Sequence, residues 1–240
     1  MDTLYIVIPA YNEQANIEDV VKDWYPVIEE RNDDSRLGII DDGSKDDTYK
    51  VLCELAKTRD KMIALTKPNG GHGATVLYGY NYALEQGADF VFQTDSDGQT
   101  LSSEFGQFWD IRNEYDMVIG HRKGRQDGFS RIFVTKTLKL VCRICFHVSL
   151  TDANTPFRLM KAEKLKENLK YVPKDFNLSN VILSVIYAKK KQPVKYIPIT
   201  FRPRQGGVNS INMKRIFKIG KQALKDFKTI NEQIKDIDKK

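Results

Sequence analysis

Four compact apolar runs in the first hundred residues, each cut off by a polar or glycine-bearing cluster, restrict this chain more than any other feature it has. The runs are Leu4–Ile8, Leu37–Ile40, Met62–Leu65 and Phe90–Phe92. Between them lie stretches with helical spacing of apolar residues, at Ile17–Ile28, Thr48–Ala56 and Ala74–Leu84. Strand-like runs alternating with helical ones predict crossover units and a mostly parallel sheet. The runs are apolar throughout, not on alternate positions, which suits strands covered on both faces. Open sheets of this kind bind ligands outside the carboxyl ends of their strands. The clusters Tyr11-Asn12-Glu13, Asp41-Asp42-Gly43, Asn69-Gly70-Gly71 and Asp95-Ser96-Asp97 each follow one run. They are therefore expected to meet along one edge of the sheet.

A fifth strand is predicted over Asp116–Ile119, and the pattern changes after about residue 125. Phe129–Val148 reads as a helix with one apolar side and with Lys136, Lys139 and Arg143 interleaved. Phe157–Met160 and Pro193–Thr200 read as further strands. Residues 210 to 240 read as a long basic helix, its apolar positions including Met213, Phe217, Leu224, Phe227, Ile230, Ile234 and Ile237. The expected division is a single α/β domain over residues 1–210, with halves meeting at about residue 125 (1–125 and 126–210), followed by the amphipathic helix 211–240.

Charge and hydropathy narrow the partners. A net charge of +6 favours anionic ones: phosphates, lipid head groups or nucleic acid. Three cysteines, at 53, 142 and 145, are too few for a disulfide framework and fit a reducing compartment. The opening MDTLYIVIPAYNE reads as a strand and not as a signal peptide. The most apolar window, Ile132–Leu150, is broken by Lys136, Lys139, Arg143 and His147. The expectation is a soluble or peripheral protein.

The acidic clusters carry the chemistry. Asp95 and Asp97 are two carboxylates two residues apart at a strand end, able to share a hard divalent cation, Mg²⁺ or Mn²⁺, whose shell a diphosphate completes. Alone, Asp-x-Asp is more often a turn; its place after the fourth strand gives it weight. Asp41-Asp42-Gly43-Ser44 reads as a turn and helix cap, or as a carboxylate facing a nucleobase imide. Asn69-Gly70-Gly71-His72-Gly73 reads as a loop, or as a phosphate approach at a helix N-terminus. It is not a Walker loop, and no Gly-x-Gly-x-x-Gly fingerprint follows the first strand.

Taken in order, Ile8-Pro9-Ala10-Tyr11-Asn12-Glu13, Asp41-Asp42-Gly43-Ser44-Lys45-Asp46, Asn69-x-Gly71-x-Gly73 and Asp95-x-Asp97-Gly98-Gln99 resemble the family 2 glycosyltransferases over roughly residues 4 to 210. These are inverting enzymes of the GT-A fold. Within them the chain is most similar to the dolichol-phosphate mannosyltransferase and polyprenyl-phosphate glucosyltransferase type. The resemblance implies that Pro9, Tyr11, Asn12 and Glu13 line the nucleoside pocket, with Asp42, and Asp41 beside it, facing the base. It implies that Asp95, Asp97 and Gln99 hold the metal and sugar-diphosphate, with Gly71 and Gly73 nearby. Gly120-His121-Arg122, Ser130-Arg131 and the loop carrying Arg202 and Arg204 match its phosphate-binding arginines. Asp152 to Arg158 matches a segment in which Ser-Gly stands where this chain has Thr155-Pro156. Asp152 is the candidate base or acceptor-orienting carboxylate.

What the resemblance implies is transfer of a hexose from a nucleoside-diphosphate sugar to a polyprenyl-phosphate acceptor, at the cytoplasmic face of a membrane. The alternative acceptor is a hydroxyl of a lipid-linked saccharide or other glycan precursor. A nucleotidyltransferase is disfavoured by Pro-Ala-Tyr-Asn-Glu after the first strand, and a nucleic-acid-binding module by the acidic clusters. The two basic helices suit either a membrane surface or a protein contact. Cys142-x-x-Cys145-x-His147 reads as core, His72 as a loop residue near phosphates, Trp24 and Trp109 as packing, and Lys189–Lys191 as a helix end or solvated turn. The sugar, the base and the oligomeric state stay open.

Overall fold

A computed structural model describes residues 2–31, 33–122, 129–174, 176–202, 226–227 and 229–232, with the backbone alone for 129–136. Among them run β1 (Leu4–Ala10), α1 (Ile17–Glu29), β2 (Arg36–Asp41), α2 (Thr48–Ala56), β3 (Met62–Thr66), α3 (His72–Glu85) and β4 (Phe90–Gln93). A 3₁₀ turn (Ser102–Glu104) and α4 (Gly106–Asp110) lead to β5 (Met117–Arg122). Then come α5 (Phe129–Phe146), β6 (Arg158–Lys161), α6 (Ala162–Leu169), α7 (Ser179–Lys189) and β7 (Val194–Ile199).

The strands form one seven-stranded sheet in the order β3-β2-β1-β4-β6-β5-β7. β1 pairs in parallel with β2 and β4, β2 with β3, and β5 with β7. β6 alone is antiparallel to its two neighbours. Two reversals cancel, so β5 runs the same way as β4. The carboxyl ends of β1 to β5 and β7 consequently share one rim, and the segment that enters β6, residues 152 to 157, reaches that rim too. The order reverses between β1 and β4, the switch point at which such sheets open a ligand crevice.

Burial explains the unbroken apolar strands. Every residue of β1 is buried. Leu4, Ile6 and Ile8 face a core shared with α1, where Trp24, Phe92, Phe105, Phe108 and Phe157 pack together. Tyr5 and Val7 face the other core, shared with Val76, Leu77 and Tyr80 of α3 and Leu183 and Tyr187 of α7. A third cluster joins α5 and α7 through Cys142, Phe146, Val181, Val185 and Ile186. Phe227 and Ile230 of the chain's last described stretch are buried in it, and the Phe227 ring lies 5.1 Å from that of Phe146. At these two positions the apolar stripe of the expected C-terminal helix meets protein. The rest of that stretch lies outside the described residues.

The expected strands and helices up to residue 199 are present with ends shifted by one to three residues, β5 running on to Arg122. α5 stops at Phe146, short of Val148, because His147 takes a left-handed backbone conformation (φ 57°). α7 ends at Lys189, so the lysine run is a helix end. Cys142 is buried, as a core residue should be, and burial pushes its thiol up to about 11. Trp24 is buried, and the guanidinium groups of Arg31 and Arg112 lie over the Trp109 ring, 4.2 and 4.3 Å from its centre.

Phe157 contacts Trp24, Phe92 and Phe108 at ring separations of 5.8, 4.7 and 4.9 Å, and it immediately precedes β6. Phe157→Ala is expected to cost about 3–5 kcal/mol of stability, read as a lowered urea midpoint at an unchanged slope.

Candidate active site

The first two loops at the rim are tied by side chains. Asn12, in a left-handed conformation (φ 53°) that asparagine tolerates, donates its amide to Ser44 Oγ at 2.9 Å. Its own Oδ1 accepts from the Lys45 amide at 2.8 Å. The Glu13 amide reaches Thr48 Oγ1 at 2.9 Å, and the buried Glu13 carboxylate accepts from Asn16 Nδ2 at 2.7 Å. Tyr11, directly after Pro9 and Ala10, stays 42% exposed over this framework.

The two aspartates that end β2 differ in role. Asp41 is buried and accepts from Thr66 Oγ1 at 2.8 Å and from the Ser44 amide. Asp42, also buried, accepts the amides of Gly70 at 2.9 Å and Gly71 at 2.8 Å, one on each oxygen, and pairs with Lys67. Burial would raise the Asp42 pKa. Hydrogen bonds from Lys67, Gly70, Thr75 and Gly71 outweigh it and hold the carboxylate below the ordinary range. The sequence placed Asp42 against a nucleobase; in the structure its carboxylate organises the glycine loop. The Gly70 and Gly71 amides are likewise directed at Asp42. The loop leads into the N-terminus of α3, beginning at His72, an end of a helix that suits an anion.

Gly73 is dictated by space: a Cβ there would sit 2.2 Å from the carbonyl oxygen of Phe176. The segment before α7 is thus laid directly against the first turn of α3. His72 joins the loop to the metal motif, its Nε2 lying 2.9 Å from Asp95 Oδ1. Partial desolvation lowers the imidazole pKa, but Asp95, Asp97 and Asp42 together raise it above its usual 6.5. A continuous chain therefore runs from Asp42 through Gly71 and His72 to Asp95. It spans the strand-order switch at the rim.

Asp97 Oδ1 accepts from the Gln99 amide at 3.2 Å. The Gln99 side chain donates to the Arg202 carbonyl at 2.9 Å, and the Arg202 amide returns to the Gln99 carbonyl at 2.8 Å. Gln99, expected beside the metal, thus latches the Asp95–Gln99 loop to the end of β7. Among the described residues no three His, Cys, Asp or Glu side chains form a cage for a metal ion. Asp95 and Asp97 offer hard oxygen donors at a partly exposed edge, a set that suits a cation whose remaining shell comes from a diphosphate and water.

Across the rim Arg122 ends β5 and meets Asp152. Nε donates to Oδ2 at 3.2 Å and Nη2 to Oδ1 at 3.3 Å, a two-pronged pair with both side chains about nine-tenths buried. The guanidinium lies 5.1 Å from the Phe201 ring. Arg131 is on the first turn of α5, where the side chains are outside the described residues, and Arg204 is outside them altogether.

Three residues that matter here escape sequence reasoning. Lys67 is not marked by any motif, and the tie of His72, read as a loop residue near phosphates, to Asp95 is not visible because the partners are distant in sequence. Arg158 closes the segment that matches the resembling enzymes, but its place in the sequence does not tell that it is wholly buried. Burial lowers its pKa while Tyr80, Tyr196 and Asp152 pull it back up.

Residues 5–169 match the family described as Glycosyl transferase family 2. The chain is similar to the UDP-N-acetylglucosamine–dolichyl-phosphate N-acetylglucosaminyltransferase of Methanococcus voltae, 29% identical over 183 residues, 68% of this chain and 71% of that protein. It is also similar to the polyprenol monophosphomannose synthase of Mycolicibacterium smegmatis, 24% identical over 233 residues, 92% of this chain and 86% of that protein. Among solved structures, glucosyl-3-phosphoglycerate synthase from Mycobacterium tuberculosis, in complex with Mn²⁺, UDP and glucosyl-3-phosphoglycerate, superposes with a TM-score of 0.65 at 17% identity. That match covers 92% of this chain and 77% of that one. The likeness shows a shared GT-A-type fold.

The Asp42 contacts generate a pH-dependent prediction. Its folded pKa lies below the ordinary 3.8, so its stabilising contribution is complete above that value and is lost as pH falls through the folded pKa. Asp42→Asn should cost about 1–3 kcal/mol at neutral pH. The gap to wild type, read from urea unfolding, should narrow as pH is lowered from 5 toward 2.

Proposed function

The chain belongs to glycosyl transferase family 2 and is a glycosyltransferase, and from that premise we propose that it transfers a hexose from a nucleoside-diphosphate sugar to a polyprenyl phosphate, with inversion, at the cytoplasmic face of a membrane. The observation that carries the proposal is the convergence on one rim. The loops after β1 to β4 are bonded into a single donor framework, and the Arg122–Asp152 pair stands opposite. Residues 1–125 supply the donor half in this reading and residues 126–210 the acceptor half.

A nucleoside would bind over Tyr11, with its diphosphate at the N-terminus of α3 and between Asp95 and Asp97. A divalent cation, Mg²⁺ or Mn²⁺, held by those two carboxylates would offset the charge that develops on the leaving diphosphate. An acceptor phosphate oxygen then bonds to the anomeric carbon from the face opposite the leaving group, the bond to the diphosphate oxygen breaks, and the nucleoside diphosphate departs. A phosphate acceptor is already ionised and needs no base. The Arg122–Asp152 pair favours this acceptor over a hydroxyl: Asp152 is occupied by a guanidinium, which makes it a poor base for a hydroxyl and suits an acceptor that needs none. The relatives from Methanococcus voltae and Mycolicibacterium smegmatis carry dolichyl-phosphate and polyprenol in their names, which supports the same choice.

Among the described residues no helix is long and apolar enough to cross a membrane. α5 nevertheless exposes Leu140 (57%) and Ile144 (64%), one turn apart, with Arg143 between them. An apolar pair flanked by cations fits an interface of acyl chains and anionic head groups, and it would bring the protein to its lipid acceptor.

The test is a panel of nucleotide sugars with Mg²⁺ or Mn²⁺, with and without polyprenyl phosphate, followed by nucleotide release and by lipid product. One sugar should be turned over only with the lipid, chelation should stop it, and added cation should restore it. Asp97→Ala should lower turnover by about 10²–10³-fold with the fold intact by circular dichroism. Full turnover in that variant, or after chelation, defeats the metal assignment.

A further inference from the structure

Arg158 is the most confined charge among the described residues. It is wholly buried, and its guanidinium donates to the Thr155 carbonyl from Nε at 3.1 Å and from Nη2 at 2.7 Å. Nη2 also reaches the Ala153 carbonyl at 3.3 Å, and Nη1 the Asn180 carbonyl at 3.0 Å. Ser184 Oγ lies 3.5 Å from Nη1 and itself donates to the Asn180 and Ala153 carbonyls. Among the described residues these acceptors are carbonyls and a hydroxyl, with no carboxylate in hydrogen-bond contact. A buried guanidinium met only by dipoles is an expensive way to fill space, and apolar side chains of similar volume do that better.

Its position suggests what it does instead. In the sheet Arg158 lies opposite Gln93 on one side and Ile119 on the other. Gln93 is two residues before Asp95, and Ile119 three before Arg122. The carbonyls it gathers belong to residues 153 and 155, directly after Asp152, and to residue 180 at the start of α7. A planar fork with several donors can hold three carbonyls at once, which a lysine ammonium on a flexible stem cannot do in the same geometry. Arg158 thus fastens the segment that carries Asp152 from below, and Asp152 grips Arg122 above.

We propose that Arg158 is a positioning residue for the acceptor side of the site: by fixing the backbone of residues 153 to 155 it sets Asp152, and through Asp152 it aims Arg122 at the acceptor phosphate. This rests on the polyprenyl-phosphate reading above. Arg158 touches no reacting atom in this scheme. Its removal should therefore be felt at the acceptor and not at the donor.

The experiment uses the full chain as wild type, Arg158→Lys, Arg158→Met, Asp152→Asn and the double variant Arg158→Lys/Asp152→Asn. Three readouts are taken: thermal melting, calorimetric affinity for the donor nucleotide with cation, and transfer kinetics on a short-chain water-soluble prenyl phosphate. Arg158→Lys should keep the fold and the donor affinity and lower kcat/KM for the acceptor by about 10²-fold. The double variant should be no worse than the poorer single one, because both act on the same element. Arg158→Met, which cannot bond the carbonyls, should not exceed Arg158→Lys in activity. Losses that multiply in the double variant, or a fall in donor affinity matching that in acceptor kcat/KM, would overturn the Arg158 inference alone. Wild-type protein that transfers to a hydroxyl acceptor and not to the prenyl phosphate overturns the acceptor reading, and the phosphate part of this inference with it.

Discussion

The arrangement of loops at the rim depends on one carboxylate. Asp42 sits where β2 ends, and the Gly70–Gly71 turn is held to β2 by its two oxygens. That anchor sets the turn from which α3 starts, and with it the approach of His72 to Asp95. Charge-assisted bonds to backbone amides are short and directional, so the anchor sets orientation as well as distance. Lys67 balances the charge, which lets a carboxylate remain ionised in a buried place. The close approach at Gly73 then presses the residue 176–177 backbone onto the same turn. Donor loop and the entry to α7 are in this way one mechanical piece.

The two sides of the crevice are built on opposite electrostatics. One presents Asp95 and Asp97 at a partly exposed edge, fit for a cation and a diphosphate. The other presents Arg122, already paired with Asp152 and backed by a second, buried arginine. A leaving diphosphate and an arriving phosphate are both anions and repel each other. Bringing them to one carbon requires positive charge on each side, and in the proposed reading a cation at Asp95 and Asp97 and the Arg122 guanidinium would share that task. The Gln99–Arg202 latch crosses from one side to the other at the end of β7.

How much of this was legible in the sequence follows from the physics of each part. β1 to β4 and the helices between them were, because a strand covered on both faces is apolar throughout and a helix covered on one face repeats every three to four residues. α7 was not: Leu183 and Tyr187 face one core while Val181, Val185 and Ile186 face another, so the helix is apolar all round and shows no period. The meeting of the four clusters was legible, since parallel topology forces it. The division of labour between Asp41 and Asp42 was not, because it depends on which carboxylate the distant Gly70 and Gly71 amides reach. Arg158 stood in a matched segment, but what it holds was hidden for a related reason. Its acceptors are backbone carbonyls, which every residue carries and no sequence advertises.

The departure at Thr155-Pro156 takes on a different meaning in this light. From sequence, proline where the related enzymes have glycine threatens a lost amide or a lost freedom near the acceptor. In the structure the functional atom of this turn is the Thr155 carbonyl, which accepts twice from Arg158. Proline disfavours the helical region for the residue before it and so restricts how that carbonyl can turn. It also removes an amide that would otherwise need a partner in a buried turn, since both Thr155 and Pro156 are inaccessible. Among the described residues the buried Thr155 hydroxyl has no hydrogen-bond partner, and the bonds to Arg158 run through the backbone. A stiffer turn suits a loop clamped by a buried arginine. The substitution preserves the carbonyl on which Asp152, and therefore Arg122, depends.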